Sequence, residues 1–371
     1  MSGGASREPR GAEGASRPTG RSDGWWIYRG TGEPDLDDRL IDQLPPPPPW
    51  RDFDGGPVAP DPVPRDDAEI RRRLGAPGAG VRASSAEETD LVNAALFLRR
   101  PLLVTGPPGV GKSSLAHRVS RELGLGRVLR WTVTSKSTLR EGLYAYDAIG
   151  RVQEASAREA LDAADPSGGP KPGTDPHSLG DFIQLGPLGT ALLPRETPRV
   201  LLVDEFDKAD TDLANDLLGA FEDGEFRIPE LSRVRARMPE VAVHTDDPDG
   251  THVVRHGRVR CRAFPFVVIT SNGERALPPA FLRRCLTLEM PPPDADRLAE
   301  MLAAQFADGD GDERALMIRD FLSRALTGGT LAADQLLNAE YLRLSPGGPD
   351  ESALNGLLHA LWQRLDEVGS A

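Results

Sequence analysis

The chain has 371 residues and a formal net charge of −13, with 39% apolar and 5% aromatic residues. That length allows one large or two modest domains, while the low apolar share and the 34 prolines and 39 glycines imply that part of the chain lies outside a packed core. The acidic balance argues against a non-specific nucleic-acid partner, which needs clustered positive charge. With no secretory signal and no apolar run near the ~18 residues of a membrane span, the expectation is a cytoplasmic chain with no membrane partner.

Residues 1–84 read as a disordered Pro/Gly-rich tail. The unbroken run Pro45–Pro49 favours a polyproline II rod and excludes a packed helix. The tail also holds three of the five tryptophans: Trp25 and Trp26 in the knot Trp25-Trp-Ile-Tyr28, and Trp50, which with Phe53 flanks the proline run. These aromatics read as docking hooks for the chain's own core, a neighbouring subunit or a partner.

Periodicity begins at Ser85. Ser85 and Glu88 fit a capping box, and Leu91, Ala95 and Leu98 follow at helical spacing. Strands are expected at Pro101–Thr105, Val128–Val133, Val200–Val203, Phe266–Thr270 and Leu286–Leu288, and helical segments, Lys112–Leu123 among them, fall between most of these. Leu213, Leu217 and Phe221 mark one helical face. This alternation predicts an α/β fold over residues 85–290, with three layers around a parallel five-stranded sheet. Two interruptions, at 143–185 and 226–264, read as insertions. The first contains the loop-like stretch Asp165–Gly173; in the second, Val241–Val243 and Val253–Val259 flank Asp246–Gly250 as a β-hairpin. After Pro291–Pro293 the pattern is helical, with stripes at Leu298, Met301, Leu302 and Phe306 and at Leu354, Leu357, Leu358, Leu361 and Leu365. Residues 291–371 therefore read as a small helical lid domain.

Four elements carry chemistry. Gly106, Pro107, Pro108, Gly109, Val110, Gly111, Lys112 and Ser113 fit G-x-x-x-x-G-K-[ST] between a strand and a helix, with Ser114 next in that helix. In this pattern glycines let the backbone wrap phosphates, and the helix presents its positive end. The lysine reaches the β and γ phosphates of ATP, and the Ser113 hydroxyl binds Mg²⁺. Val200–Val203 runs into Asp204 and Glu205; Asp204 can complete the Mg²⁺ shell and Glu205 can act as general base toward water. A third apolar strand ends at Thr270-Ser-Asn272, where Asn272 can orient that water or touch the γ phosphate. Arg283 and Arg284 are either a solvated surface pair or, in an oligomeric ATPase, residues that enter the neighbour's site, with Arg284 the stronger candidate. The two cysteines, Cys261 and Cys285, lie in no metal or redox spacing and read as small core residues. His252 and His256 lie four apart in a strand-like segment, which is not a helical metal pair.

In this order, with a helical C-terminal lid, these motifs resemble AAA+ ATPases. More narrowly they resemble the MoxR branch: Gly186-Pro-Leu-Gly189 resembles a MoxR signature, and the two insertions sit where that branch carries its helix-2 insert and its hairpin before sensor 1. Leu143–Asp147, Arg227–Leu231 and Thr270–Pro279 are similar to a bacterial subgroup found in conflict or defence operons beside von Willebrand A-domain proteins. The resemblance covers residues 86–345. It implies a homo-oligomeric ring, commonly a hexamer, with ATP between subunits, Arg284 acting in trans and a protein client to be remodelled. The chain departs from the family in one respect. Gly329-Thr-Leu-Ala-Ala-Asp-Gln335, where a sensor-2 arginine would stand, has none; Arg324 and Arg343 are the nearest alternatives. The alternative to a remodelling ATPase is a nucleotide-gated assembly switch with little turnover.

Overall fold

The computed structural model describes residues 25–34, 39–60, 68–75, 84–164, 179–306, 311–326 and 331–362. Among them the chain forms strands β1 (Leu102–Thr105), β2 (Leu129–Thr132), β3 (Tyr144–Tyr146), β4 (Ile183–Leu185), β5 (Val200–Asp204), β6 (Glu225–Arg227), β7 (Glu240–His244), β8 (Thr251–Arg255), β9 (Arg258–Arg260), β10 (Phe266–Ser271) and β11 (Leu286–Glu289). The five expected core strands lie side by side in the order β11-β1-β10-β5-β2, each parallel to its neighbours.

Apolar residues run unbroken along the central strands because both faces of the sheet are covered. Side chains alternate between two cores. Leu103, Trp131, Leu201, Val203, Val267 and Ile269 enter one core; Leu102, Val104, Val200, Leu202, Phe266 and Val268 enter the other. The second core is closed by helices Ala86–Leu98 and Lys112–Glu122, through Val92, Ala95, Leu96, Leu115 and Val119. The buried stripe of the first helix is thus Val92, Ala95 and Leu96, with the expected Leu91 packed at its margin and the expected Leu98 exposed. The first core is closed by helix Thr211–Asp223, with Leu213, Leu217 and Phe221 inward, and by a second sheet.

That second sheet joins the two insertions. Its order is β3-β4-β7-β8-β9-β6, and Gln184 of β4 aligns with His244 of β7, one strand from each insertion. The β7–β8 hairpin closes over Asp246–Gly250, where the Thr245 N–H donates to Gly250 O at 2.9 Å. Its turn is fastened to the main sheet: Arg199, just before β5, forks onto Asp247 at 2.7 and 2.8 Å, and Arg127 reaches Asp246 at 2.9 Å. Val253–Val259, read from sequence as one strand, is two. His256 and Gly257 take φ of 52° and 69°, and a two-residue turn with positive φ at both positions reverses the chain from β8 into β9. His256 therefore lies in a turn and not in a strand.

The largest difference from the sequence reading lies before Ser85. Residues 25–34 and 39–60 form a strap seated on the domain, so the packed structure begins well inside the stretch read as a tail. Trp25 stands edge-on to Phe97 at 5.3 Å, and the Trp26 Nε1–H donates to Asp90 at 2.9 Å. Asn93 Oδ1 accepts the main-chain N–H groups of Ile27 and Tyr28 at 2.9 and 3.0 Å, and Asn93 Nδ2 donates to Tyr28 O at 2.7 Å. The Glu122 carboxylate accepts from the N–H groups of Gly30 and Gly32 at 3.1 and 2.9 Å. Leu40 and Ile41 enter the same core. The strap then passes the start of β1, where Arg99 donates to Pro45 O at 2.7 Å. It crosses to the opposite face, placing Arg51 against Phe221 O and Phe53 in the first core, and bonds Gly55 N to Cys261 O at 3.1 Å. Of the three targets open to the aromatic hooks, Trp25, Trp26, Tyr28 and Phe53 meet the chain's own core; Trp50 is 75% exposed. An extended chain cannot pair with itself, so buried acceptors on the helices satisfy its amides.

The expected capping box forms only in half. Ser85 Oγ accepts from Glu88 N at 3.1 Å, but the Glu88 carboxylate turns to Arg118, at 2.9 Å, and to Ser84. Both cysteines are free and buried, and burial pushes each thiol up to about 12. The lid contains helices Ala295–Gln305, Gly311–Leu326, Ala333–Leu344 and Glu351–Leu361 around Leu298, Leu302, Phe321, Leu336, Leu354, Leu358 and Trp362. Leu357 is exposed, and Leu365 and the stretch 165–173 lie outside the described residues.

Tyr28→Ala tests whether the strap belongs to the fold. Removing a fully buried aromatic ring is expected to cost about 3–5 kcal/mol in chemical denaturation. A loss within about 0.5 kcal/mol, typical of a surface change, would count against the strap as part of the core.

Candidate functional site

β1 delivers the chain into the loop Gly106–Gly111, and helix Lys112–Glu122 starts directly after it. Gly111 is the N-cap of this helix at φ 94°, a conformation that strains any L side chain, and no side chain caps the helix. The first-turn amides therefore face the loop, as an anion site requires. The Lys112 Nζ lies among three oxygens at 2.7 Å each: Gly106 O, Pro107 O and Asn272 Oδ1. Burial holds the ammonium below the usual lysine value, opposed by the nearby carboxylates of Asp207, Asp204 and Glu205.

Asp204 ends β5. Its Oδ1 accepts from Ser113 Oγ and from Thr270 Oγ1, each at 2.7 Å, and its Oδ2 accepts from the Arg130 fork at 2.7 and 3.2 Å. Burial alone would raise this carboxyl, but the hydrogen bonds from Ser113, Thr270 and Arg130 outweigh it and hold the group below the usual aspartate value. Glu205 follows in the left-handed region, at φ 60° and ψ 44°. That conformation costs a non-glycine residue about 1–2 kcal/mol. It is held by the Glu205 N–H donating to Thr270 Oγ1 at 2.9 Å and by the Phe206–Phe281 stack at 5.0 Å just behind. The Glu205 carboxylate is half-exposed and takes a 2.9 Å bond from Lys208 Nζ. Glu205 keeps Lys208 above the usual lysine value.

Asn272 follows β10. Its side chain meets Lys112, and its N–H donates to the buried Asp207 at 2.9 Å, which also accepts from Glu274 N at 3.0 Å. Lys112, Ser113, Asp204, Glu205 and Asn272 thus converge at the C-terminal ends of β1, β5 and β10. Arg283 and Arg284 do not join them. The parallel register pairs Leu102 with Leu286 and Thr105 with Glu289, which puts both arginines ahead of β11, at the opposite end of the strands from the chain's own loop. Arg283 is exposed. Arg284 pairs with Glu222, and Arg100 binds the main-chain oxygens of both arginines.

Residues 101–285 match the AAA domain of the dynein-related subfamily. The chain carries an AAA+ ATPase domain. No curated protein matches it. Helices follow the AAA+ domain, and no helix among the described residues is long and apolar enough to cross a membrane.

The lid meets the AAA+ loop directly. A Cβ at Gly109 would stand 2.7 Å from Ala333 N and 2.9 Å from Ala332 Cα, so only glycine fits beneath this helix start. Arg324 and Arg343 are engaged inside the lid, Arg324 over the Trp362 ring at 4.9 Å and Arg343 on Glu340 at 2.8 Å. A cavity of about 120 Å³ beside the loop is lined by Val110, Gly111 and Ser114 together with Gly32 of the strap and Arg297 and Met301 of the lid. Sequence reasoning missed Arg130, Thr270, Lys208, Arg297 and Gly32. Thr270 lies inside a strand that was read for its end alone. Arg130 alternates with buried Leu129 and Trp131, a pattern that also fits a solvated arginine. For Gly32 and Arg297 the sequence carries no signal, since only the docking of strap and lid brings them to the cavity.

The residues fit a magnesium nucleotide. Open space lies around Gly111, the helix start is uncapped, a buried ammonium stands at the loop, and the hydroxyl of Ser113 and carboxylate of Asp204 are the hard oxygen donors that Mg²⁺ prefers. Lys112→Ala is expected to lower nucleotide affinity by at least about tenfold, the loss of one charge-assisted contact of 1.5–3 kcal/mol. Unchanged affinity in equilibrium binding would refute the cradle.

Proposed function

We propose that this chain is an AAA+ ATPase of the MoxR type that binds and hydrolyses ATP at subunit interfaces of a homo-oligomeric ring, taken as a hexamer, to remodel or activate a partner protein. The observation that carries this reading is the convergence of Lys112, Ser113, Asp204, Glu205 and Asn272 on one loop, with Arg283 and Arg284 before β11, at the opposite end of the strands. Residues 106–114 hold the nucleotide: main-chain amides and Lys112 take the phosphates, and Ser113 with Asp204 would hold Mg²⁺. The ion would neutralise charge on the phosphates when bound. Glu205 takes a proton from the attacking water, and Asn272, already bonded to Lys112, orients that water or the γ phosphate. Arg284, or Arg283, serves the neighbouring subunit's site, a role supported by their distance from their own.

The MoxR assignment rests on Gly186-Pro-Leu-Gly189, on the placement of the two insertions and on how their motifs meet. Gly189 packs so closely on Leu143 O that a Cβ there would stand 1.9 Å away, and Tyr144 and Arg140 both bind Glu230, each at 2.9 Å. The second sheet so formed is the surface proposed for a client, with a von Willebrand A-domain protein of a conflict system the partner class that the resemblance suggests. A second reading, a nucleotide-gated assembly switch with little turnover, draws on the Glu205–Lys208 ion pair, which occupies the carboxylate that hydrolysis needs free.

Steady-state ATPase at rising protein concentration separates the two readings, since a remodeller shows cooperative, assembly-dependent turnover. Glu205→Gln tests the base: nucleotide binding should persist while turnover falls by about 10²–10⁴. Turnover equal to that of the unmodified chain would remove Glu205 as base. Mixing Arg284→Ala with Lys112→Ala subunits should restore part of the activity that each lacks. Failure to do so in proven mixed assemblies, while Arg283→Ala mixtures recover, would transfer the trans role to Arg283.

A further inference from the structure

Arg130 stands on Asp204 in a way the ATPase reading does not use. Its Nε and Nη2 fork onto Oδ2 at 3.2 and 2.7 Å, while Ser113 and Thr270 share Oδ1. Both oxygens of a carboxylate only 7% exposed are thereby engaged, and the guanidinium, 38% exposed, approaches from the open side. The two Oδ1 contacts do not obstruct a cation. Ser113 can give a lone pair to a metal while its proton stays on Oδ1, and Thr270 faces the sheet, where it also accepts from Glu205 N. The Oδ2 contact is different. A guanidinium is a fixed positive charge with no lone pair to offer, so a divalent ion approaching Oδ2 meets a like charge and an oxygen already bonded.

We propose that Arg130 is a resident counter-cation of Asp204 that competes with Mg²⁺, so that the metal enters as Arg130 swings outward. Arg130 is then a positioning residue that sets how much Mg²⁺ the nucleotide site demands. β2 makes this possible: its alternation buries Leu129 and Trp131 and leaves Arg130 on the side that reaches the end of β5, where Thr132 pairs with Asp204. The inference rests on the nucleotide reading of the same site.

The test uses the full chain and a fluorescent ADP analogue, first in EDTA and then titrated with MgCl2. Losing a charge-assisted hydrogen bond to a group shifts a competitor's affinity for that group by roughly 10–150-fold. The expected result is that R130Q lowers the half-saturating Mg²⁺ concentration about tenfold, toward the low end of that range, with R130K between it and the unmodified chain. A half-saturation point in folded R130Q that is unchanged or higher overturns the proposal while leaving the nucleotide reading intact. Failure of the unmodified chain to bind the analogue at all overturns both. If R130Q does not fold, R130K alone decides, and an unshifted half-saturation point there overturns the proposal.

Discussion

A single carboxylate organises the centre of this molecule. Asp204 ends the middle of three strands and takes donors from the helix after the loop, from β10 and from β2, through Ser113, Thr270 and Arg130. A charge buried this deeply persists only when its oxygens are satisfied. The three donors therefore fix the relative height of β2, β5 and β10 at the edge where chemistry takes place. Thr270 extends the network by one step, since the hydroxyl that donates to Asp204 also accepts the N–H of Glu205 and so supports the left-handed turn at that residue.

Much of this was legible in the sequence, for identifiable reasons. The loop, the Asp204–Glu205 strand end and Asn272 were readable because their residue types occur at fixed spacing inside unbroken apolar runs, and such runs mark strands covered on both faces. The five strands were found within a residue or two at each end for the same reason. Partners set by docking were not legible. Arg130 and Lys208 look like solvated cations until β2 and the turn after β5 are placed. The break between β8 and β9 was missed because His256 gives no glycine-like warning of positive φ, although Gly257 beside it does.

The region before Ser85 shows why composition alone misjudges packing. Its prolines and glycines disfavour long helices, yet it carries the helix Ala68–Leu74, and its extended stretches are buried where another element supplies acceptors. Asn93 and Glu122 do so from two neighbouring helices, as polar residues buried at the domain surface beneath the strap. The same segment then passes the start of β1 and fills the opposite core with Phe53, so two cores separated by the sheet share one ligature. The two insertions also become a unit only in three dimensions, where β4 and β7 meet and Asp246 and Asp247 tie their hairpin to the beginnings of β2 and β5.

The contact at Gly109 has a mechanical corollary. Loop backbone and lid backbone meet there with no side chain between them, beside the cavity that both line. A shift of the loop at that point would therefore reach Ala332 and Ala333, at the start of helix Ala333–Leu344. The lid in this sense rests on the loop through the missing side chain of one glycine.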